Sequence, residues 1–312
     1  MNLIICCTPL QVLIAEKILE IHRNEQFFGV MLSTVKNAKF DFYQSRLAKK
    51  CQQFFAMQQH SERIQLLKEI IYLKSTFGGK KFNKVFLANI NELEIQFLLS
   101  AINFNEINTF DDGIANIVQS GIFYKQECSG INRKLINTFL GNRYSLEKLK
   151  KLSKKHYTIY KGFPNIIENT VYIELINSTT LPDSELNNSE VVNILLGQPI
   201  FERDDEKNII LAEKVIRQFN IDRYFPHPRE KYQISNVEYI KTNLILEDYL
   251  FQECSDKKCR VYTYFSSAVI NILNKSPNIE VVALRVNVDN PTYIESYVLL
   301  ENLGINIIDI RE

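Results

Sequence analysis

Short apolar runs alternate with helically spaced ones along almost the whole chain, and this alternation restricts the fold more than any other feature. Leu3–Cys7 is a buried-strand candidate. Pro9–Ile21 follows, with Leu10, Leu13, Ile14, Ile18 and Leu19 at helical spacing and a proline suited to a first helical turn. Phe28–Leu32, Lys84–Ala88 and Ile107–Phe110 read as further strands, and Glu62–Leu73 and Glu92–Ala101 as helices. Strands and helices in alternation imply a parallel sheet covered by helices. The polar stretch Asn177–Glu190 then interrupts the pattern and reads as a linker. A second series runs through Val191–Leu196, Asp205–Phe219, Val237–Ile240, Arg260–Phe265, Ser267–Asn274, Val281–Leu284, Tyr293–Leu303 and Ile305–Ile308. The expected organisation is one α/β domain over 1–178, a linker over 179–190 and a second α/β domain over 191–312.

Composition removes several function classes. The 312 residues carry 37 Lys+Arg against 36 Asp+Glu, a net charge of +1, which gives no support for a nucleic-acid partner. There are only ten glycines and no two are separated by a single residue, so a GxGxxG dinucleotide fingerprint is absent. Gly78-Gly79-Lys80-Lys81 lacks the spacing and the hydroxyl residue of a P-loop. Any phosphate must therefore be held without a glycine-rich cradle. The six cysteines form no CxxC pair and no zinc spacing, so they read as small hydrophobes and no metal is expected. Met1–Pro9 has no positive n-region, and no stretch approaches 18 uncharged apolar residues. The expectation is a cytoplasmic protein.

In open α/β sheets, ligands sit beyond the carboxyl ends of the strands. Five polar groups fall there: Thr8, Asp111-Asp112-Gly113, Gly197 through Asp205, Phe225 through Glu230, and Ser266-Ser267. Asp111 and Asp112 offer a general base, because two crowded carboxylates raise the pKa of one of them, although Asp-Asp-Gly also makes an ordinary turn. Pro226-His227-Pro228 holds an imidazole on a stiff loop, suited to a hydrogen bond to phosphate. The other histidines, His22, His60 and His156, read as surface residues. Ser266 and Ser267 open a helix whose first N–H groups and hydroxyls would bind an anion, or simply cap it. Glu247-Asp248 begins another helix and could bind ribose hydroxyls or favour its positive end. The acidic run Glu202, Asp204, Asp205 and Glu206 supplies a second candidate base.

Taken together and in this order, these residues resemble glycosyltransferase family 52, the bacterial lipooligosaccharide sialyltransferases. The matching stretches are LIICCTPLQ near the N-terminus, NTFDDG at 108–113, LLGQP at 195–199, YFPHPREKY at 224–232, EDY at 247–249 and YTYFSSA at 262–268. The resemblance implies the GT-B architecture, two Rossmann-like domains facing a central cleft. It implies transfer of sialic acid from CMP-sialic acid to a terminal galactose of lipooligosaccharide, with inversion and without metal or other cofactor. Asp205 is then the leading base, with Asp111 and Asp112 kept beside it. His227 and Ser266/Ser267 would meet the departing CMP, Glu247 the cytidine or ribose, and Gly197, Gln198, Pro199 and Pro228 would line the nucleotide pocket. A family 52 enzyme with another donor, or a silent nucleotide-sugar-binding protein, is the competing reading. Family precedent admits a homodimer.

One strongly basic segment stands out, Asn142–His156, with Arg143, Lys148, Lys150, Lys151, Lys154 and Lys155. Leu146, Leu149 and Leu152 give it an apolar stripe. It reads as a solvated surface helix or as a peripheral contact with anionic lipid at the cytoplasmic face of the inner membrane.

Overall fold

The computed structural model describes residues 1–125, 131–176, 191–201, 204–228, 230–254 and 257–311. The expected linker 179–190, Glu202 and Cys128 lie outside them. The chain divides into two units, Met1–Leu175 and Ile176–Glu312.

The first unit opens with Asn2–Cys6 (β1), buried at every position, and Pro9–Ile21 (α1). Thr8 caps α1 by accepting from the Gln11 N–H, and Pro9 occupies the first turn, where no N–H is missed. Phe27–Ser33 (β2), Ala38–Lys50 (α2), Gln53–Gln58 (β3), Arg63–Phe77 (α3), Lys81–Leu87 (β4), Leu93–Ala101 (α4) and Asn103–Phe110 (β5) follow. A 3₁₀ turn at Gly113–Asn116, then Ile131–Phe139 (α5), Leu146–Leu152 (α6), Ser153–Thr158 (β6) and Thr170–Tyr172 (β7) complete it. The sheet is parallel throughout in the order β3-β2-β1-β4-β5-β6-β7. Its central strands are covered on both faces, which is why they read as unbroken apolar runs. In β2, Gly29 is required by space, since a Cβ there would meet Cys51 Sγ at 2.9 Å and the Phe54 ring at 3.0 Å.

The second unit repeats the plan with Val191–Leu196 (β8), Asp205–Gln218 (α7), Arg223–Phe225 (β9), Glu238–Tyr239 (β10), Leu246–Glu253 (α8), Lys258–Thr263 (β11), Ala268–Ile272 (α9), Ile279–Arg285 (β12), Pro291–Asn302 (α10) and Asn306–Asp309 (β13). Its parallel sheet runs β10-β9-β8-β11-β12-β13. Both sheets thus place their first strand third in line and reverse direction beside it, which is the Rossmann order with its switch point at β1/β4 and β8/β11.

Three expectations are corrected. The segment 142–156 is not one helix: α6 is seven residues long and the chain enters β6 at Ser153. Leu146 and Leu149 are buried in the core of the first unit, in one cluster with Leu98 and Phe123, so packing uses two of the three leucines of the stripe and leaves Leu152 exposed. His156, expected at the surface, is fully buried in β6.

Candidate active site

In the second unit, loops from three adjacent strands converge. Gly197, immediately after β8, donates its N–H to the Phe225 carbonyl at the end of β9 (2.8 Å). A side chain at this position would strike the Tyr224 hydroxyl and Glu230 Oε2, so the glycine answers to crowding rather than to a turn. Gln198 reaches the third loop, where its Oε1 accepts from the Phe265 N–H after β11 (3.3 Å). The Phe265 ring in turn stacks on Tyr293 of α10, with centroids 4.2 Å apart.

His227 lies on the loop after β9, and that loop is clamped by Glu230. Glu230 Oε2 accepts from the Tyr224 hydroxyl (2.7 Å) and the His227 N–H (3.3 Å), while the Glu230 N–H donates to the His227 carbonyl (3.0 Å). Burial pushes the Glu230 carboxyl up to about 7, against the pull of those two donors. Its Oε1 is buried and takes no hydrogen bond. Sequence reading placed Glu230 in the loop but gave it no role; the available signal was an acidic residue three places after a proline-braced histidine.

Ser266 and Ser267 follow β11. Ser266 donates its N–H to Thr263 Oγ1 (3.2 Å), and its own Oγ accepts from the Ala268 N–H (3.3 Å). The hydroxyl oxygen thus accepts within the turn and keeps its O–H as a donor. Ser267 makes no side-chain cap, and α9 spans only five residues, shorter than the expected 267–274. Glu247 is buried in the first turn of α8 and accepts from Asn271 Nδ2 of α9 (2.8 Å), which links the two short helices.

Asp205 is the first residue of α7 and is exposed. Asp204, just before it, is the cap, with Oδ1 accepting from the Lys207 N–H (3.0 Å). That bond, helped by the Lys207 ammonium, lowers the Asp204 carboxyl and ties it to the helix start. Asp205 is close enough to Tyr232 to help raise its phenol, behind burial and Glu230. The loop leading to Asp205 is fastened by Asn208, which sequence reading missed. Its Oδ1 accepts from the Ile200 and Phe201 N–H groups (2.9 and 3.0 Å), and its Nδ2 donates to the Phe201 and Asp204 carbonyls (2.9 and 3.0 Å). Beside this loop, Ile200, Phe201, Asp204, Lys207, Asn290 and Tyr293 line a cavity of about 410 Å³.

Asp111 and Asp112 belong to the first unit and diverge rather than crowd. Asp111 is fully buried. Its Oδ1 meets His156 Nε2 (2.8 Å) and accepts from Asn165 Nδ2 (3.1 Å), and its Oδ2 accepts from the Thr158 hydroxyl and the Ile159 N–H (2.7 Å each). His156 Nδ1 continues the chain to Thr109 Oγ1 (2.8 Å). Asp112 is only partly covered, and its Oδ1 accepts from Gln11 Nε2 (2.6 Å). Gly113 then takes φ +62°, the left-handed conformation that glycine adopts without strain. Of the pair, Asp112 is the one with a surface that a substrate could meet.

The comparisons with known proteins agree with this geometry. Over its full length the chain is 61% identical to a Pasteurella multocida protein named CMP-N-acetylneuraminate:beta-galactoside alpha-2,3-sialyltransferase, covering 100% of both chains. It is 41% identical over 309 residues to the N-acetyllactosaminide alpha-2,3-sialyltransferase of Haemophilus influenzae, covering 98% of this chain and 99% of that one. The fold is similar to TcCGT1 in complex with UDP, with a TM-score of 0.52 at 10% identity over 100% of this chain and 85% of that one. The two Rossmann-like units make this the GT-B type of α/β fold. The model of glycosyltransferase family 52 matches residues 24–288, and the chain belongs to that family.

Proposed function

We propose that this enzyme transfers sialic acid from CMP-sialic acid to a terminal galactose of lipooligosaccharide, inverting the anomeric centre and using no metal. The observation that carries this reading is the 61% identity, end to end, with a protein named for that donor and a β-galactoside acceptor. In the reaction, a galactose hydroxyl oxygen attacks the anomeric carbon of sialic acid. The bond from that carbon to the phosphate oxygen breaks, and CMP leaves with the electron pair. Asp205, exposed at the start of α7, takes the hydroxyl proton; Asp112 is the second choice, because Asp111 has no exposed surface. The imidazole of His227 and the hydroxyls of Ser266 and Ser267 donate to the phosphate as its charge develops. Gly197, Gln198, Pro199 and Pro228 surround the nucleotide, and Glu247 acts on the ribose side from the start of α8, which its bond to Asn271 ties to α9.

The acceptor reading implies peripheral contact with the membrane that presents the lipid-linked sugar. Among the described residues, no helix is long and apolar enough to cross one. The test of the proposed function is incubation with CMP-sialic acid and lactose, followed by mass spectrometry of the sugar product. Sialyllactose is expected. Transfer only from a different nucleotide sugar, or CMP binding with no transfer from any donor, overturns the reading.

A further inference from the structure

Beyond the carboxyl ends of β2, β3 and β4, the first unit carries a cavity of about 580 Å³ that the reaction above does not use. Its size is that of a small-ligand site, roughly 300–1,000 Å³. Gln58, Gln59 and His60 line it from the end of β3, and Glu92 and Glu94 from the start of α4. Both loops are fastened. His60 Nδ1 meets Glu69 Oε1 of α3 (2.7 Å), and Asn89 Nδ2 donates to Glu92 Oε1 (3.2 Å). Gln59 is only 4% exposed, yet its Nε2 makes no hydrogen bond. Burial raises the Glu94 carboxyl, while its own N–H and the nearby Gln59 amide pull the other way. A buried amide donor left open in a cavity wall points to an acceptor supplied from outside.

Charge narrows the occupant. Met1–Leu175 carries 23 Lys+Arg against 15 Asp+Glu, a net of +8, whereas Ile176–Glu312 carries 14 against 21, a net of −7. Within this basic unit the cavity reverses sign: Glu62, Glu92 and Glu94 line it, and among the described residues no Lys or Arg does. An anion is repelled there. A cation would be drawn in but would leave the Gln59 donor unmet. A neutral ligand rich in hydroxyls satisfies both conditions, because amides donate and accept, carboxylates accept, and hydroxyls do both. The cavity also adjoins Asp112. Burial, then the Glu94 and Asp112 charges, raise the Glu92 carboxyl. Burial, and after it Asp112, Glu92 and Glu94, likewise raise the thiol of Cys7 at the end of β1. These groups therefore gather at the β1/β4 switch point, where parallel sheets take ligands.

We infer that this cavity holds the neutral sugar unit next to the terminal galactose of the acceptor, with Gln59 donating to one of its oxygens and Gln58, Glu92 and Glu94 taking its hydroxyls. This deepens the proposed function and rests on it for the galactose. The experiment compares initial rates of transfer from CMP-sialic acid to methyl β-galactoside and to lactose, whose glucose is the second sugar. The parent is expected to favour lactose in kcat/KM by roughly tenfold or more. Gln59→Leu and Glu92→Ala are each expected to raise KM for lactose roughly tenfold, to leave KM for CMP-sialic acid as in the parent, and to bring the two acceptors toward parity. Glu92 is only partly buried and can be truncated safely, so a misfolded Gln59→Leu would leave the test intact. An unchanged preference in the folded variants overturns the inference, as does equal loss on both acceptors. Tighter binding of an amino sugar that fades with salt makes the cavity a cation site and overturns it too. Saturation-transfer NMR of lactose separates the inference from the proposed function. Glucose-ring signals that the variants lose, in a parent that transfers to neither acceptor, leave the cavity standing and remove the proposed function instead. Absence of those signals in the parent overturns the inference.

Discussion

Gln11 takes the Cys7 N–H on its side-chain oxygen at 2.6 Å and gives an amide hydrogen to Asp112 at 2.6 Å, so one side chain joins the ends of β1 and β5. Asp112 is therefore held but not sealed, whereas Asp111 is sealed by four partners. This difference separates the candidate bases experimentally. Asp205→Asn is expected to lower kcat on the order of 10²–10⁴-fold and to leave CMP affinity, read by calorimetry, within about twofold, the change expected away from direct contacts. Loss of the same size in Asp112→Asn with a normal Asp205→Asn would assign the base to the first unit. His227→Ala is expected to weaken CMP binding and turnover together, with kcat falling on the order of 10²-fold. A fall in kcat with unchanged CMP affinity would remove the imidazole from the phosphate. The place of Asp111 and Asp112 past a strand end was legible from sequence because they break an apolar run, whereas His227 stood out by its two prolines and Asp205 by the resemblance. The separate fates of Asp111 and Asp112 were not, because burial depends on His156, Thr158 and Asn165, which lie about 45 to 54 residues further along.

Among the elements, strands with apolar runs were legible, the edges β10 and β13 included, whereas β3, β6, β7 and β9 were not. β1, β4, β5 and β8 appear in the sequence as apolar runs because helices cover both of their faces. β3, half exposed, and β6, with Lys154 and Lys155 in solvent, carry no such run, and the lysines of β6 extend the basic pattern of α6 into what reads as one helix. β9, three residues long, is too short for any periodicity to register. Two loop clamps set the geometry of the site at this scale. Asn208→Leu removes four hydrogen bonds that hold Ile200, Phe201 and Asp204 to α7. It is expected to cost about 1–3 kcal/mol of stability and to raise KM for CMP-sialic acid; an unchanged chemical denaturation curve would exclude the clamp. Glu230 acts on the His227 loop. Its folded pKa, about 7, lies above its ordinary value, so protonation favours the folded state. The stability it contributes is present below the ordinary carboxylate range and is lost as pH rises through about 7. Melting temperatures measured from pH 5 to roughly pH 8 should fall for the parent and fall less for Glu230→Gln. Parallel curves would show that Glu230 titrates alike in both states.

For the whole molecule, two α/β halves were legible as a repeated alternation, while the strand order within each sheet was not, and the contacts divide the chain after Leu175. The segregation of charge was not visible in the net value, because the two units nearly cancel. The proposed catalysis without metal rests on hydrogen-bond donors alone meeting the phosphate, and it predicts a transfer rate in EDTA equal to that in plain buffer. A tenfold loss in EDTA, restored by a divalent cation, would replace the hydrogen-bond account of CMP departure.

The pairing of β1 with β4 also has a bearing on how the chain reaches this state. Leu3 is in register with Val85, so β1, an interior strand of the first unit's sheet, cannot complete its ladder until more than eighty residues have followed it. Loops of that length close at an entropic cost that local helices do not face, and sheets built this way fold slowly. At ribosomal speeds of roughly 5–20 residues per second, synthesis of the second unit occupies on the order of ten seconds. That interval gives the first unit time to close its sheet before a second set of sticky parallel strands emerges beside it.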